Sequence, residues 1–229
     1  MTAGLLSLGG KVIGDVILEN YNKRIINDIY YELPKHVHRV KISGEIQIDG
    51  GDVMEVGEYG CGIIFNNKFL TMAHVTNMNI VNDEKEGIIE LKEEIKNKKV
   101  KLYEKELEEI VFDIDNDVAV YNLPSGLDIP NFPCNISGSD IKLGDEIYII
   151  GNPDISGINI RRGYISDLDS IVNKADSSAK NCFGIDKVLI PGDSGTPIVN
   201  SNYDLLGLCA FSIRGSLGYV KKIEEFINY

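Results

Sequence analysis

Apolar residues follow two different rhythms along this chain. Over the first 35 residues they fall at Val16, Ile17, Tyr21, Ile25, Ile26 and Ile29, a helical spacing, and Pro34 closes the run. This predicts a partly helical extension over 1–35. Beyond it the texture changes to short runs rich in β-branched and aromatic residues, separated by Gly, Asn, Asp and Pro. Strands are expected over 37–42, 45–48, 62–65, 118–123, 146–150, 163–168, 188–190, 197–200 and 205–211. No helices alternate with them, which argues against βαβ units. The expected class is all-β, a sandwich or a barrel.

One stretch departs from this texture. Residues 82–109 are dense in Lys and Glu. Ile88, Leu91 and Ile95 have helical spacing, whereas Val100 and Leu102 alternate as in a strand. A solvated helix followed by an edge hairpin is expected here. No internal repeat and no Pro/Ser-rich linker interrupts the chain, so residues 36–229 read as one continuous domain that could comprise two packed half-barrels.

Composition narrows the function classes. Of 229 residues, 43% are hydrophobic and 25% charged, as in ordinary globular proteins. No apolar run reaches the roughly 18 residues of a membrane-spanning helix. A net charge of −12 disfavours a binder of phosphate backbones, and no basic patch is visible in the linear sequence. Neither nucleic acid nor membrane is an expected partner, and the oligomeric state is left open. Gly4 to Leu8 is apolar, but no cationic segment precedes it and Lys11 and Asp15 break the apolar stretch, unlike a secretion signal. Cys61, Cys134, Cys182 and Cys209 are widely spaced and form no C-x-x-C pair. They read as free buried thiols of a reducing compartment, so the cytoplasm is the expected location. His36 and His38 form an H-x-H pair with too few companions for a metal site, and are expected to be structural. No metal or cofactor is expected.

Three local signals carry chemistry. Residues 69–75 form an apolar run that ends in Ala73 and His74. Asp117 opens the apolar run Val118-Ala119-Val120, with Asp113 and Asp115 as alternative acids upstream. Ser194 sits between Gly192 and Gly195 just before Pro197-Ile198-Val199. A serine hydroxyl is a weak nucleophile until a neighbouring base takes its proton. Histidine titrates near neutrality and suits that task. A carboxylate fixes the imidazole tautomer. Glycines beside the serine let backbone N–H groups converge on a developing oxyanion. The spacing Gly192-x-Ser194-x-Thr196 is not the G-x-S-x-G of an α/β-hydrolase elbow.

In this order, Thr71-x-Ala73-His74, Asp117-x-Ala119-Val120 and Gly192-Asp193-Ser194-Gly195 resemble the trypsin-like, chymotrypsin-fold serine peptidases. Ile150-Gly151-Asn152-Pro153 with Arg162-Gly163-Tyr164-Ile165-Ser166, Gly60-Cys61-Gly62 and Leu206-Gly207-Leu208 resemble the bacterial HtrA-like branch. The resemblance spans roughly residues 37–220. It implies a double β-barrel over 36–229 and a serine endopeptidase acting on protein or peptide substrates through an acyl-enzyme. His74 would be the general base, Asp117 its orienting acid and Ser194 the nucleophile, with the backbone N–H groups of Gly192 and Ser194 as oxyanion hole. The edge Ala210–Ser212 would pair with substrate backbone. Val188 would floor the substrate pocket beside Ala210, Phe211 and Ser212, with Leu189 and Ile190 adjoining and Arg214 able to reach in. This implies a modest apolar side chain before the scissile bond.

Departures from the family pattern are specific. Thr196 stands where a glycine is usual, and Val75 where a cysteine is common. No PDZ-like domain is expected after the barrels. Lys11-Val12-Ile13-Gly14 resembles an activation junction whose new N-terminus would pair with Asp193, but it lies unusually far ahead of His74. Two other readings stand beside peptidase activity. One is a catalytically silent, peptidase-like module that only holds peptides, and the other is an esterase.

Overall fold

The computed structural model describes residues 23–47, 53–77, 80–83, 87–90, 96–136, 141–151, 157–168, 181–213, 217–227 and 229. The strands are β1 (Val37–Gln47), β2 (Val53–Phe65), β3 (Lys68–Thr71), β4 (Ile80–Asp83), β5 (Gly87–Glu90), β6 (Lys96–Leu102), β7 (Lys105–Glu106) and β8 (Glu108–Asp113). They continue as β9 (Val118–Asn122), β10 (Asn135–Ile136), β11 (Glu146–Gly151), β12 (Asn159–Asp167), β13 (Cys182–Ile185), β14 (Pro197–Asn200), β15 (Asp204–Ile213) and β16 (Leu217–Lys222). Two short helices, α1 (Ala73–Asn77) and α2 (Glu224–Ile227), follow β3 and β16.

Among the described residues the strands form two seven-stranded sheets and a separate β4–β5 pair. The first runs β7-β6-β1-β2-β3-β9-β8, an open half-barrel. In the second, β15-β14-β11-β12-β13-β16 closes on itself through β15–β16, with β10 added on the outside. The fold is all-β, with the chymotrypsin-like double-barrel architecture. Tight turns set the registers. Asn66 and Asn67 both hold positive φ (49° and 59°) between the paired Phe65 and Lys68, as a two-residue type I′ hairpin requires.

Alternation explains how the halves dock. Along β11, Ile147 and Ile149 belong to the core inside the closed barrel. Tyr148 and Ile150 belong to the larger core shared with the first sheet. The same split separates Leu206 and Cys209 from Leu205, Leu208 and Ala210 on β15. These strands are buried on both faces, which is why they read as continuous apolar runs.

The segment before β1 is helical from residue 23. It passes through a π turn (Asp28–Glu32) and a 3-10 turn (Leu33–His36). Ile29 and Leu33 are fully buried in the shared core, and Tyr30 meets Tyr148 edge-on at 6.2 Å. Pro34 does not stop the helical path. It occupies the first positions of the 3-10 turn, where a missing N–H costs nothing. Val16, Ile17 and Tyr21 lie outside the described residues.

Two expectations are corrected. The helix expected from Ile88 onward is, at Gly87–Glu90, a strand paired antiparallel with β4 through Val81↔Ile89. Adjacent β-branched Ile88 and Ile89 favour the pleat over the helix. Leu91 and Ile95 lie outside the described residues. Val100 and Leu102 are buried on β6, whose hairpin with β7 forms the sheet edge as expected. Residues 188–190 form a loop instead of a strand. Side chains take their backbone groups: Arg161 donates to the Val188 carbonyl, Leu189 N–H donates to Ser212 Oγ, and Ile190 N–H donates to Asp193.

Candidate active site

Turns on both sheets converge at the seam between them. His74 lies in the first turn of α1, which follows β3 after Met72. Tyr121 holds the helix by donating to Thr76 Oγ1 at 2.9 Å, and Thr71, at the end of β3, donates to the Cys61 carbonyl on β2 at 2.6 Å. Asp117 ends the turn between β8 and β9. Its φ of 56° lies in the left-handed region, which Asp tolerates. The buried Asp117 carboxylate grips His74 twice, accepting from the backbone N–H at 2.9 Å and facing Nδ1 at 2.9 and 3.0 Å.

Asp113 has a different task. It accepts the side-chain and backbone N–H groups of Asn116, which hold its carboxyl below the usual range and close the turn. Asp115 is exposed. Of the three candidate acids, the structure brings Asp117 to His74.

Ser194 sits between two tight turns. Asp193 N–H donates to the Ile190 carbonyl at 2.9 Å across Pro191 and Gly192, and Gly192 has φ of 91°. Proline second and a positive-φ glycine third are the marks of a type II turn. Thr196 N–H closes the next turn onto the Asp193 carbonyl, with Gly195 at φ of 83°. A Cβ at Gly195 would sit 1.9 Å from the Cys61 carbonyl oxygen, so only glycine fits. The turn is tied to β2 by Cys61 N–H donating to the Ser194 carbonyl at 3.1 Å.

This places Ser194 Oγ 2.8 Å from His74 Nε2 and 3.2 Å from the Ala210 carbonyl. Among the described residues, the N–H groups of Gly192 and Ser194 donate no hydrogen bond and remain available beside the hydroxyl. A hydroxyl, an imidazole, a carboxylate and two backbone donors therefore meet in one place.

Beneath the turn, Asp193 of the Gly192–Gly195 motif meets Arg161, a residue that the motifs do not single out. Asp193 is fully buried. Its Oδ2 accepts from Arg161 Nη2 at 2.5 Å and from Ile190 N–H at 2.6 Å. Arg161 Nη1 also holds the Val188 carbonyl at 3.0 Å. An internal cation thus fills the role that a new N-terminus at Val12 would have had. Lys11 and Val12 lie outside the described residues. The signal in the sequence is the Arg161-Arg162 pair, whose first member the hairpin motif does not include.

The expected pocket residues are dispersed in character. Ala210 is buried, and Phe211 stacks on Tyr219 at 5.2 Å. The Ser212 hydroxyl bonds both backbone groups of Leu189. Val188 is 40% exposed and Ile190 44% exposed, in the loop that Arg161 anchors. Arg214 lies outside the described residues. Thr196 is buried, and Val75 packs where any side chain at Gly60 would stand, 2.1 Å from an added Cβ. All four cysteines are free and buried. His38 is buried, with Nδ1 2.9 Å from the Tyr103 hydroxyl. Among the described residues, no cluster of three or more His, Cys, Asp or Glu side chains is arranged for a metal ion, and no helix is long and apolar enough to cross a membrane.

Fold and site together define a chymotrypsin-like double β-barrel protein. The model of the trypsin-like peptidase domain matches residues 60–208, and the chain belongs to that family. Among solved structures it is similar to the HtrA-type protease AlgW with a tripeptide, at 20% identity and a TM-score of 0.59, covering 89% of this chain and 61% of that one. The chain thus spans about three fifths of AlgW. It is also similar to the Rv3671c protease of M. tuberculosis in its active form, at 21% identity and a TM-score of 0.56, covering 88% and 82% of the two chains. At these identities the likeness speaks for the fold. No curated protein sequence matches the chain.

Proposed function

We propose that the chain is a serine endopeptidase whose triad is His74, Asp117 and Ser194. The observation that carries this reading is the continuous line from Asp117 through His74 to Ser194, with contacts of 2.9 and 2.8 Å. In the proposed reaction His74 Nε2 takes the Ser194 proton as Oγ attacks the peptide carbonyl. Asp117 accepts the Nδ1–H and stabilises the imidazolium. The oxyanion is received by the N–H groups of Gly192 and Ser194. His74 then protonates the leaving amine, and water, activated by the same base, hydrolyses the acyl-enzyme. Substrate backbone pairs with Ala210–Ser212 as an added strand.

We place the substrate pocket beside Val188, Ala210, Phe211 and Ser212, where a modest apolar side chain is favoured because a cation would be desolvated without a partner. Four free cysteines fit a reducing compartment, and we place the protein in the cytoplasm. The test is a fluorophosphonate probe with a fluorogenic peptide library. Labelling of Ser194 together with peptide turnover is the expected result. Peptide binding without labelling would leave a silent peptide-holding module. Dominant cleavage after Lys or Arg would overturn the apolar preference, and cleavage after Asp or Glu would point to Arg214.

A further inference from the structure

The chain carries a net charge of −12, yet one face of its first sheet is cationic. On β1, Val40 and Ile42 point into the core, which sends Arg39, Lys41 and Ser43 to the opposite face. On β6, Val100 and Leu102 are buried, which sends Lys99 and Lys101 to that same face. The register sets Lys41 directly opposite Lys101. Like charges in that position weaken a sheet. Among the described residues, Lys41, Lys98, Lys99 and Lys101 form no ion pair with a carboxylate. Glu45, on the rim, accepts from Asn97.

The face is concave. A cleft of about 640 Å³ is bordered by Lys41, Ser43, Lys98, Lys99 and Lys101. A second, of about 310 Å³, shares Lys41 and Lys101 and adds Arg39, Tyr59 and Tyr103, with Glu104 as its one carboxylate. Arg39 lies over the Tyr59 ring at 4.7 Å. Tyr59 is two residues along β2 from Cys61, whose N–H holds the Ser194 carbonyl. At about 3.3 Å per residue, the cleft therefore begins roughly 7 Å of strand from the nucleophile's turn.

We propose that this cleft binds an acidic segment of a polypeptide, such as the flanking sequence of a substrate held at Ser194. The link to substrate rests on the peptidase reading; the binding itself does not. Closely set lysines that form no ion pair among the described residues match a short run of Asp and Glu, although Glu106 stands opposite Lys101 across the β6–β7 pair. A longer polyanion such as nucleic acid would extend beyond the cleft over a chain of net charge −12, which repels it.

The test uses the full chain as Ser194→Ala, with a fluorescein-labelled hexaglutamate peptide read by anisotropy at low salt. The expected result is saturable binding that weakens at least tenfold in Lys99→Ala/Lys101→Gln and falls with added salt. The melting temperature of that variant should be unchanged or higher, because it removes the Lys41–Lys101 repulsion. Absent binding, or binding indifferent to the two substitutions, overturns the proposal. Tighter binding of a deoxythymidine decamer through the same lysines overturns the peptide assignment. In the active protein, a glutamate tail on a fluorogenic peptide should lower KM, and the double variant should erase that gain while leaving the untailed peptide unchanged. Failure of all turnover would count against the peptidase reading and leave the anisotropy result standing.

Discussion

The guanidinium of Arg161 and the carboxylate of Asp193 meet at 2.5 Å directly beneath the turn that carries Ser194. Asp193 is fully buried, so the pair anchors Pro191–Gly195 from inside the second barrel. Removing one partner of a buried pair leaves an uncompensated charge and costs about 3–5 kcal/mol. Arg161→Met should lower stability by that order and lower kcat by at least tenfold through a displaced oxyanion hole. Arg161→Met/Asp193→Asn should regain much of the stability without the activity. Denaturant midpoints and steady-state kinetics check both. Full activity in the single variant would remove Arg161 from the mechanism.

The triad should behave as a unit. Ser194→Ala and His74→Ala should each abolish measurable turnover with little change in melting temperature, and the double variant should be no worse than either alone. Asp117→Asn should cost about 10⁴ in kcat, because the amide stabilises the wrong imidazole tautomer. Near-normal turnover in that variant would contradict the two-point contact with His74.

His38 sets a pH dependence outside the triad. Burial, aided by repulsion from His36, holds its imidazole at about 4 instead of 6.5. Above pH 6.5 the folded and unfolded chains both carry it neutral. As pH falls below that value the unfolded chain binds the proton first, so stability declines down to about pH 4, by about 3 kcal/mol in total. Urea midpoints taken between pH 7 and 5 should fall in the wild type and stay flatter in His38→Gln. Equal slopes would discount the histidine.

The thiols should be silent in the native state. Burial pushes Cys182 up to about 11 and Cys209 up to about 12, and raises Cys134 further. The thiolate is the reactive form. A thiol reagent at pH 8 should therefore titrate none of the four rapidly in the folded protein and all four in denaturant. Mild reductant should leave the melting temperature unchanged, and a mass deficit of two hydrogens would reveal a disulfide.

The chemistry closest to the chain is legible in the sequence. His74, Asp117 and Ser194 each sit at a strand end or in a glycine turn, and such places have local signatures. The strands β11 and β15 are likewise legible as apolar runs, but which face each side chain takes is not, because both faces of those strands are buried. Arg161 is not, since its partner lies 32 residues away and only the folded hairpin aims it. The loop at 188–190 has the composition of a strand in Val188, Leu189 and Ile190, whereas side chains from β12, β15 and the serine turn claim its backbone groups. The basic cleft has only a partial linear signature, in Lys96, Lys98, Lys99 and Lys101 amid the glutamates of the same stretch. Lys99 and Lys101 alternate along β6, and the register with β1 adds Lys41 to them.

Ser194 and His74 ride on different sheets. Ser194 belongs to the loops of the closed barrel, His74 and Asp117 to the open half-barrel, and the tie between Cys61 and Ser194 crosses the seam. The 2.8 Å contact from His74 to Ser194 is therefore a gauge of how the two halves are seated. A shear of about one ångström along the seam would break it without unpairing a strand of either sheet. Turnover should then fade under mild denaturant before the β-sheet circular dichroism changes.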